Sequence, residues 1–126
     1  MGDGSFQLHE EGLPDDVIER HRAIVSIMEE LEAVDWYDQR VAVTTDPELA
    51  EVLAHNRDEE KEHFAMTLEW LRRHDRKIDE VLHTYLFTSS DILEEEHEAE
   101  HGGDTSPSGS GALGIGSLRG NTGGEL

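Results

Sequence analysis

The stretch HRAIVSIMEELEAVDWYDQR, residues 21–40, decides the fold of this chain. Its apolar residues return at alternating steps of three and four, which places them on one face of an α-helix. With Pro14 as its start signal, this helix is predicted to run to about Val41. A second stretch, HNRDEEKEHFAMTLEWLRR at residues 55–73, has the same period. Because only a few residues join the two predicted helices, we expect them to pack as an antiparallel hairpin.

The start of the second helix has two interpretations. Asp46 can cap the helix, with Pro47 in the first helical position. Alternatively, Thr45 and Glu48 can form a capping box. In either case the helix is predicted to run to about His74.

The chain divides into segments of different composition. A third, shorter helix is predicted over Arg76–Phe87, and its apolar side comprises Ile78, Val81, Leu82, Tyr85 and Leu86. Because a Gly- and Ser-rich tail buries too little apolar surface to order itself, we expect disordered termini. The predicted division is a flexible segment at 1–13, a helical domain at 14–88, an acidic and then Gly/Ser-rich linker at 89–111, a short linear motif at 112–120 and a tail at 121–126.

Length and composition exclude several classes of protein. The 126 residues allow one small domain with tails, and the absence of cysteine excludes disulfides, zinc-thiolate sites and a thiol nucleophile. No apolar run approaches the roughly 20 residues that span a bilayer. Residues 1–9 have no pattern of a secretory signal, so we expect a cytoplasmic protein with no membrane partner.

The charge balance is strongly acidic, with 30 acidic residues against 10 lysines and arginines and a formal charge of −20. Nucleic acid is therefore an unlikely partner by this criterion, because phosphate binding depends on basic side chains. The acidity either attracts cations or serves solubility in a salty interior.

Three metal-ligating residues lie in the otherwise apolar rows of the two long helices. The row of the first helix is Ala23, Ile27, Glu30, Val34, Tyr37 and Val41, and the row of the second is Leu49, Leu53, Asn56, Glu60, His63, Thr67 and Trp70. A carboxylate on a packed face is costly unless it is paired, protonated or bound to a metal. A di-iron site in a four-helix bundle needs a Glu from each of two helices and a Glu-x-x-His from each of the other two. One chain offers half of that set, which predicts a site that closes when two chains meet.

Glu-x-x-His spacing by itself is weak evidence, since the chain contains it four times: Glu60/His63, Glu80/His83, Glu94/His97 and Glu98/His101. Only the first pair is embedded in an apolar row. A salt-bridged helix face that uses Arg57 and Lys61 is the alternative interpretation. If a metal binds, carboxylates and imidazole without sulfur favour iron or manganese, with zinc as a further option.

Two more pairs lie close to these residues. Glu29 and Glu32 are three apart on a neighbouring helix face, where they form either a waypoint for hard cations or an inert acidic surface. Trp36 and Tyr37 follow one turn later, and Tyr37 shares the row of Glu30. These aromatics either pack or assist the site, Tyr37 as a hydrogen-bond donor or a redox-active neighbour.

The two quoted stretches resemble the encapsulated ferritins, ferritin-like proteins held inside encapsulin nanocompartments, over about residues 13–88. The resemblance implies a hairpin with a short third helix, which dimerises into a ferritin-like four-helix bundle and assembles into a ring-shaped decamer. It implies ferroxidase ligands at Glu30, Glu60 and His63, a metal-uptake site at Glu29 and Glu32 that also accepts calcium or another divalent ion, and neighbouring aromatics at Trp36 and Tyr37.

The tail segment ALGIGSLR, residues 112–119, resembles the peptides that dock cargo on an encapsulin shell. Its anchors would be Leu113, Ile115, Leu118 and Arg119. The expected function is Fe(II) oxidation by O2 or peroxide for iron storage and detoxification inside the shell. Non-enzymatic buffering or delivery of divalent metal is the alternative, and a hemerythrin-like oxygen carrier is disfavoured because only His63 lies on the inward rows.

Overall fold

A computed structural model describes residues 7–102 of the chain, and over this range all regular structure is helical. The elements are α1 (Asp15–Val43), α2 (Pro47–Arg73), α3 (Arg76–Tyr85) and α4 (Ile92–His97), with a π-helical turn over Glu98–Gly102. They fall into two compact units, one ending at His74 and the other beginning at Asp75. The predicted all-α class is confirmed.

The first unit is a hairpin of α1 and α2. Helix α1 begins after Pro14, whose carbonyl accepts a hydrogen bond from Ile18 N at 3.2 Å. Pro14 supplies no side-chain cap, but Asp15 and Asp16 lie in the first turn, where the helix dipole favours negative charge. The helix then continues for 29 residues, two residues past the predicted end.

Asp46 starts α2, as one of the two sequence interpretations requires. Its Oδ1 accepts hydrogen bonds from Glu48 N at 3.0 Å and from Leu49 N at 3.3 Å. Pro47 occupies the first helical position, where its fixed φ suits a helix and its missing N–H costs nothing. The short link therefore turns the chain sharply enough for α2 to return along α1.

The hairpin has almost no core of its own. Among the described residues only Ala23 and Leu71 are buried apolar side chains. Large apolar side chains remain exposed on both helices: Ile24, Met28, Leu31, Trp36 and Val43 on α1, and Leu49, Val52, Met66 and Trp70 on α2. An ion pair between Arg57 Nη1 and Asp38 Oδ1, at 2.9 Å, joins the two helices. Exposed apolar surface of this extent marks an interaction site.

The second unit contains α3 and α4. Asp75 caps α3 through Ile78 N at 3.0 Å. The helix ends at Tyr85, two residues before the predicted Phe87, because Leu86 is extended and Phe87 has a φ of 64°. Thr88 Oγ1 donates to the Tyr85 carbonyl at 2.8 Å and satisfies one of the last carbonyl groups of the helix.

Helix α4 lies where the sequence predicted an acidic linker. Asp91 caps it by accepting a hydrogen bond from Glu94 N at 3.3 Å. Glu94 and Glu95 occupy its first turn, where negative charge is favourable. The acidic composition of this segment favoured a linker in the sequence analysis. The N-cap rule that predicts Asp46 at the start of α2 also applies to Asp91.

No helix within residues 7–102 is long and apolar enough to cross a membrane. The linear motif at 112–120 and the first six residues of the predicted flexible segment at 1–13 lie outside the described residues.

Replacing Asp46 with alanine removes two side-chain hydrogen bonds from the start of α2. We expect Asp46→Ala to lower the free energy of unfolding by about 1 kcal/mol, the usual cost of a lost helix cap. Urea unfolding followed by circular dichroism, at one fixed protein concentration, measures this loss. Thr45→Ala is the matched control, and a cost for it equal to that of Asp46→Ala would favour the capping box instead.

Candidate metal centre

The hairpin brings Glu30, Glu60 and His63 together. Glu30 lies on α1, while Glu60 and His63 are one turn apart on α2. The Glu60 Oε1 and His63 Nδ1 atoms are 3.6 Å apart, and their side chains are 28% and 46% exposed. Glu30 is half-buried, and its Oε1 is enclosed without a hydrogen-bond partner. An enclosed carboxylate oxygen without a donor is costly, and a proton or a metal cation would satisfy it.

Electrostatics couple these side chains across the hairpin. Burial raises the pKa of the Glu30 carboxyl above its usual value, and the nearby Glu60 carboxylate raises it further. The charge of His63 and a side-chain hydrogen bond with Thr67 lower the same pKa, and the Glu29 carboxylate raises it. Two carboxylates in one partly enclosed site repel each other, so the site favours the arrival of positive charge.

A complete metal cage is not formed by one chain. Among residues 7–102, no group of three or more His, Asp and Glu side chains is arranged to hold a metal ion. The sequence predicts a site shared by two chains, and one chain contains only half of it. The assignment of Glu30, Glu60 and His63 as ligands therefore stays a prediction.

His63 belongs to an exposed row of α2 with heptad spacing. The members of this row, which we call the outer row, are Leu49, Val52, Asn56, Glu59, His63, Met66 and Trp70. Its four apolar members are between 36% and 59% exposed. A partner helix that covered this row would bury apolar side chains on both sides of His63 and exclude water from the imidazole.

The second acidic pair differs in exposure between its members. Glu29 is exposed, whereas Glu32 is half-buried and its Oε1 is enclosed without a hydrogen-bond partner. Glu32 thus repeats the feature found at Glu30 on another face of α1. Whether the pair binds a cation stays a prediction.

An arginine that the sequence analysis did not select lies over the two aromatics. The Arg40 guanidinium carbon is 5.8 Å from the centre of the Trp36 ring and 5.6 Å from that of the Tyr37 ring. Both distances are within the range of cation–π attraction. The steps of three and four residues to Arg40 are the signal that would have identified it.

The competing Glu-x-x-His pairs have other partners or lie elsewhere. On α3, Glu80 pairs with Lys77 at 3.2 Å and His83 pairs with Asp79 at 3.2 Å. Glu94/His97 and Glu98/His101 lie on α4 and the π-helical turn. The anchors of the linear motif at 112–120 are outside the described residues.

Comparison with known proteins identifies the family. A family model described as EncFtn-like matches residues 5–89. The chain belongs to the EncFtn-like family. Its hairpin and α3 therefore represent the part of the chain that defines an EncFtn-like protein.

Curated relatives agree with this assignment. An encapsulated ferritin-like protein of Rhodospirillum rubrum is 58% identical over 130 residues, which cover 95% of this EncFtn-like chain and 93% of the relative. A ferritin-like protein of Thermotoga maritima is 52% identical over 94 residues, covering 75% and 80% of the two chains. A crystal structure of a Nitrosomonas europaea protein is 57% identical, with a TM-score of 0.65, and covers 71% of this chain and 98% of its own.

The raised pKa of Glu30 predicts that the metal-free protein becomes less stable as pH rises. Because the folded state holds the Glu30 proton more tightly than the unfolded chain, stability falls as pH rises from the usual value of 4.5 through the raised pKa. Glu30→Gln removes this cost, so we expect its Tm to exceed that of the wild type at pH 7 and to equal it near pH 4. Thermal unfolding in chelator measures the difference, with Glu29→Gln as the exposed control. A Glu30→Gln variant less stable than the wild type at pH 7 would contradict this account.

Proposed function

We propose that this protein is a ferroxidase that oxidises Fe(II) to Fe(III) at a di-iron centre formed by Glu30, Glu60 and His63 of two chains. The observation that supports it most is the enclosed, partnerless Oε1 of Glu30 beside Glu60 and His63. A structural salt bridge would supply a cation for this carboxylate. The cations of the alternative interpretation have other partners: Arg57 pairs with Asp38 and Asp58, and Lys61 pairs with Asp58.

The donor set fits Fe(II) as the substrate. Carboxylate oxygens and one imidazole nitrogen per chain form a set without soft sulfur ligands, which suits iron. The carboxylates offset the positive charge of the bound ions. That charge increases when Fe(II) becomes Fe(III). His63 binds as the neutral imidazole, so iron binding should weaken as pH falls.

The reaction removes one electron from each Fe(II), and O2 or peroxide accepts the electrons. The protein contributes ligand geometry and a site from which the partner helix excludes water. In this proposal Glu29 and Glu32 receive incoming divalent ions, calcium among them, and Trp36 and Tyr37 flank the centre. Tyr37 is placed on the row of Glu30, where its hydroxyl donates a hydrogen bond to a ligand.

Assembly is part of the proposal. The chain forms a homodimer that completes the four-helix bundle, and dimers build a ring-shaped decamer. The exposed outer row and the near absence of a core in the hairpin support association. The R. rubrum relative is described as encapsulated, and its match covers nearly the whole chain. We therefore place this protein inside an encapsulin nanocompartment, docked through Leu113, Ile115, Leu118 and Arg119, with the oxidised iron stored in the shell.

Fe(II) oxidation in air, followed by the near-UV absorbance of Fe(III), tests the catalytic proposal. We expect Glu30→Ala, Glu60→Ala and His63→Ala each to reduce the rate to near that of buffer, because each removes a metal ligand. The chain provides a matched control in Glu80→Ala/His83→Ala, which removes a pair of identical spacing from α3 and should leave the rate unchanged.

The outcomes separate the two candidate functions. A wild-type rate no faster than buffer, with Fe(II) still bound by equilibrium dialysis, would leave the buffering or delivery function. Equal loss in the Glu80→Ala/His83→Ala control would show that the assay responds to general metal binding.

Removing residues 112–120 tests the docking proposal. Because the peptide would carry the shell contacts, we expect the truncated chain to be absent from purified shells after co-expression with the encapsulin shell protein. Mass spectrometry of the shell contents measures the loading, and Fe(II) oxidation by the truncated chain controls for folding. Equal loading of the full-length and truncated chains would discard this role.

A further inference from the structure

Two histidines outside the candidate metal centre stack on each other near the end of the described residues. The ring centres of His97 and His101 are 4.2 Å apart, with an angle of 28° between the ring planes. Both side chains are exposed. They lie on α4 and on the π-helical turn that follows it.

The two histidines are four residues apart, at the join of α4 and the π-helical turn. Trp70 and His74 stack with the same spacing at the end of α2, with ring centres 3.9 Å apart, so the stack itself does not require the π-helical turn. Single π-helical turns of this kind occur frequently at functional sites.

The hydrogen bonding of His101 sets the tautomer of its neutral ring. The His101 Nδ1 is 3.0 Å from the carbonyl oxygen of His97. Since a carbonyl oxygen only accepts, Nδ1 carries the proton and donates it. In the neutral ring the lone pair is then on Nε2, which faces away from this hydrogen bond. A histidine that binds a metal commonly donates its other ring N–H to a backbone carbonyl in this way.

We propose that His97 and His101 form a second metal site, a two-imidazole chelate for late first-row divalent ions such as Ni(II) and Zn(II). Imidazole pairs suit these ions, whereas Mg(II) and Ca(II) prefer oxygen ligands. Water completes the coordination, since no third His, Asp or Glu in the described range converges on the pair. The surrounding glutamates, among them Glu94 and Glu98 beside His97 in an open depression, attract cations to the site.

This site is independent of the ferroxidase proposal. It uses no residue of the hairpin, and its binding requires no redox step. In the sequence these histidines lie outside any apolar row and in a predicted acidic linker at 89–111. The structure instead places them on α4 and the π-helical turn.

Isothermal titration with NiCl2 on the full-length chain tests the proposal. All variants carry Glu30→Ala/His63→Ala, which disables the candidate metal centre. A Ni(II) ion held by one imidazole binds the second one intramolecularly, so losing either imidazole should remove the chelate. We therefore expect His97→Ala, His101→Ala and the double substitution to weaken Ni(II) binding alike, by on the order of 100-fold. His9→Ala/His83→Ala removes two exposed imidazoles that are far apart in the sequence and should leave the affinity unchanged.

Three results would overturn the proposal. Equal affinity of the His97→Ala/His101→Ala and His9→Ala/His83→Ala variants would show that the pair has no special role. Additive losses from the single substitutions would show two separate imidazoles rather than a chelate. Competition by excess MgCl2 would assign the binding to the acidic residues. Alanine favours a helix more than histidine does, so circular dichroism should show retained helix content in every variant.

Discussion

The partly buried carboxylate of Glu30, which lies near the Glu60 carboxylate of the facing helix, is the constraint on which the account of the candidate metal centre depends. Glu30 on α1 and Glu60 on α2 share one partly enclosed site, and the enclosed oxygen of Glu30 has no donor. Such an arrangement lowers the stability of a metal-free hairpin, so folding alone does not account for it. Binding of a cation would replace this cost with ligand affinity. The chain thus carries a local cost in stability at the position where its chemistry would occur, as strained functional sites commonly do.

A second constraint is the lack of a core. With only Ala23 and Leu71 buried in the described residues, the hairpin leaves the apolar members of the outer row in contact with water. Covering that row would add apolar burial at roughly 25 cal/mol per Å² and would enclose His63 as well. The same association would therefore complete both the core and the candidate metal centre. In the proposed dimer, this common requirement would let a chain with two long helices complete a four-helix bundle.

The periodicity of the sequence was sufficient to predict the two long helices and the hairpin. It placed Glu30, Glu60 and His63 on rows that lie near one another in the structure, although His63 is on the exposed outer row and the role of the three as ligands stays a prediction. The sequence leaves the N-cap of α2 ambiguous, because Thr45 and Glu48 fit a capping box as well as Asp46 fits an N-cap. The hydrogen bonds of Asp46 decide between these two interpretations. Helix α4 was missed because charge composition was given more weight than the Asp91 cap. Arg40 was missed because a helical pattern identifies the face on which a residue lies but not the aromatic rings that a long side chain contacts.

The mass of the protein in dilute solution, with and without Fe(II), tests the central claim that the metal site is shared between two chains. A ligand that binds only the associated state shifts the equilibrium toward it. Sedimentation without oxygen should therefore show a larger oligomer fraction when Fe(II) is present, and Glu30→Ala/His63→Ala should abolish the shift. A wild-type mass that is independent of Fe(II) across a range of dilutions spanning dissociation would contradict the shared site.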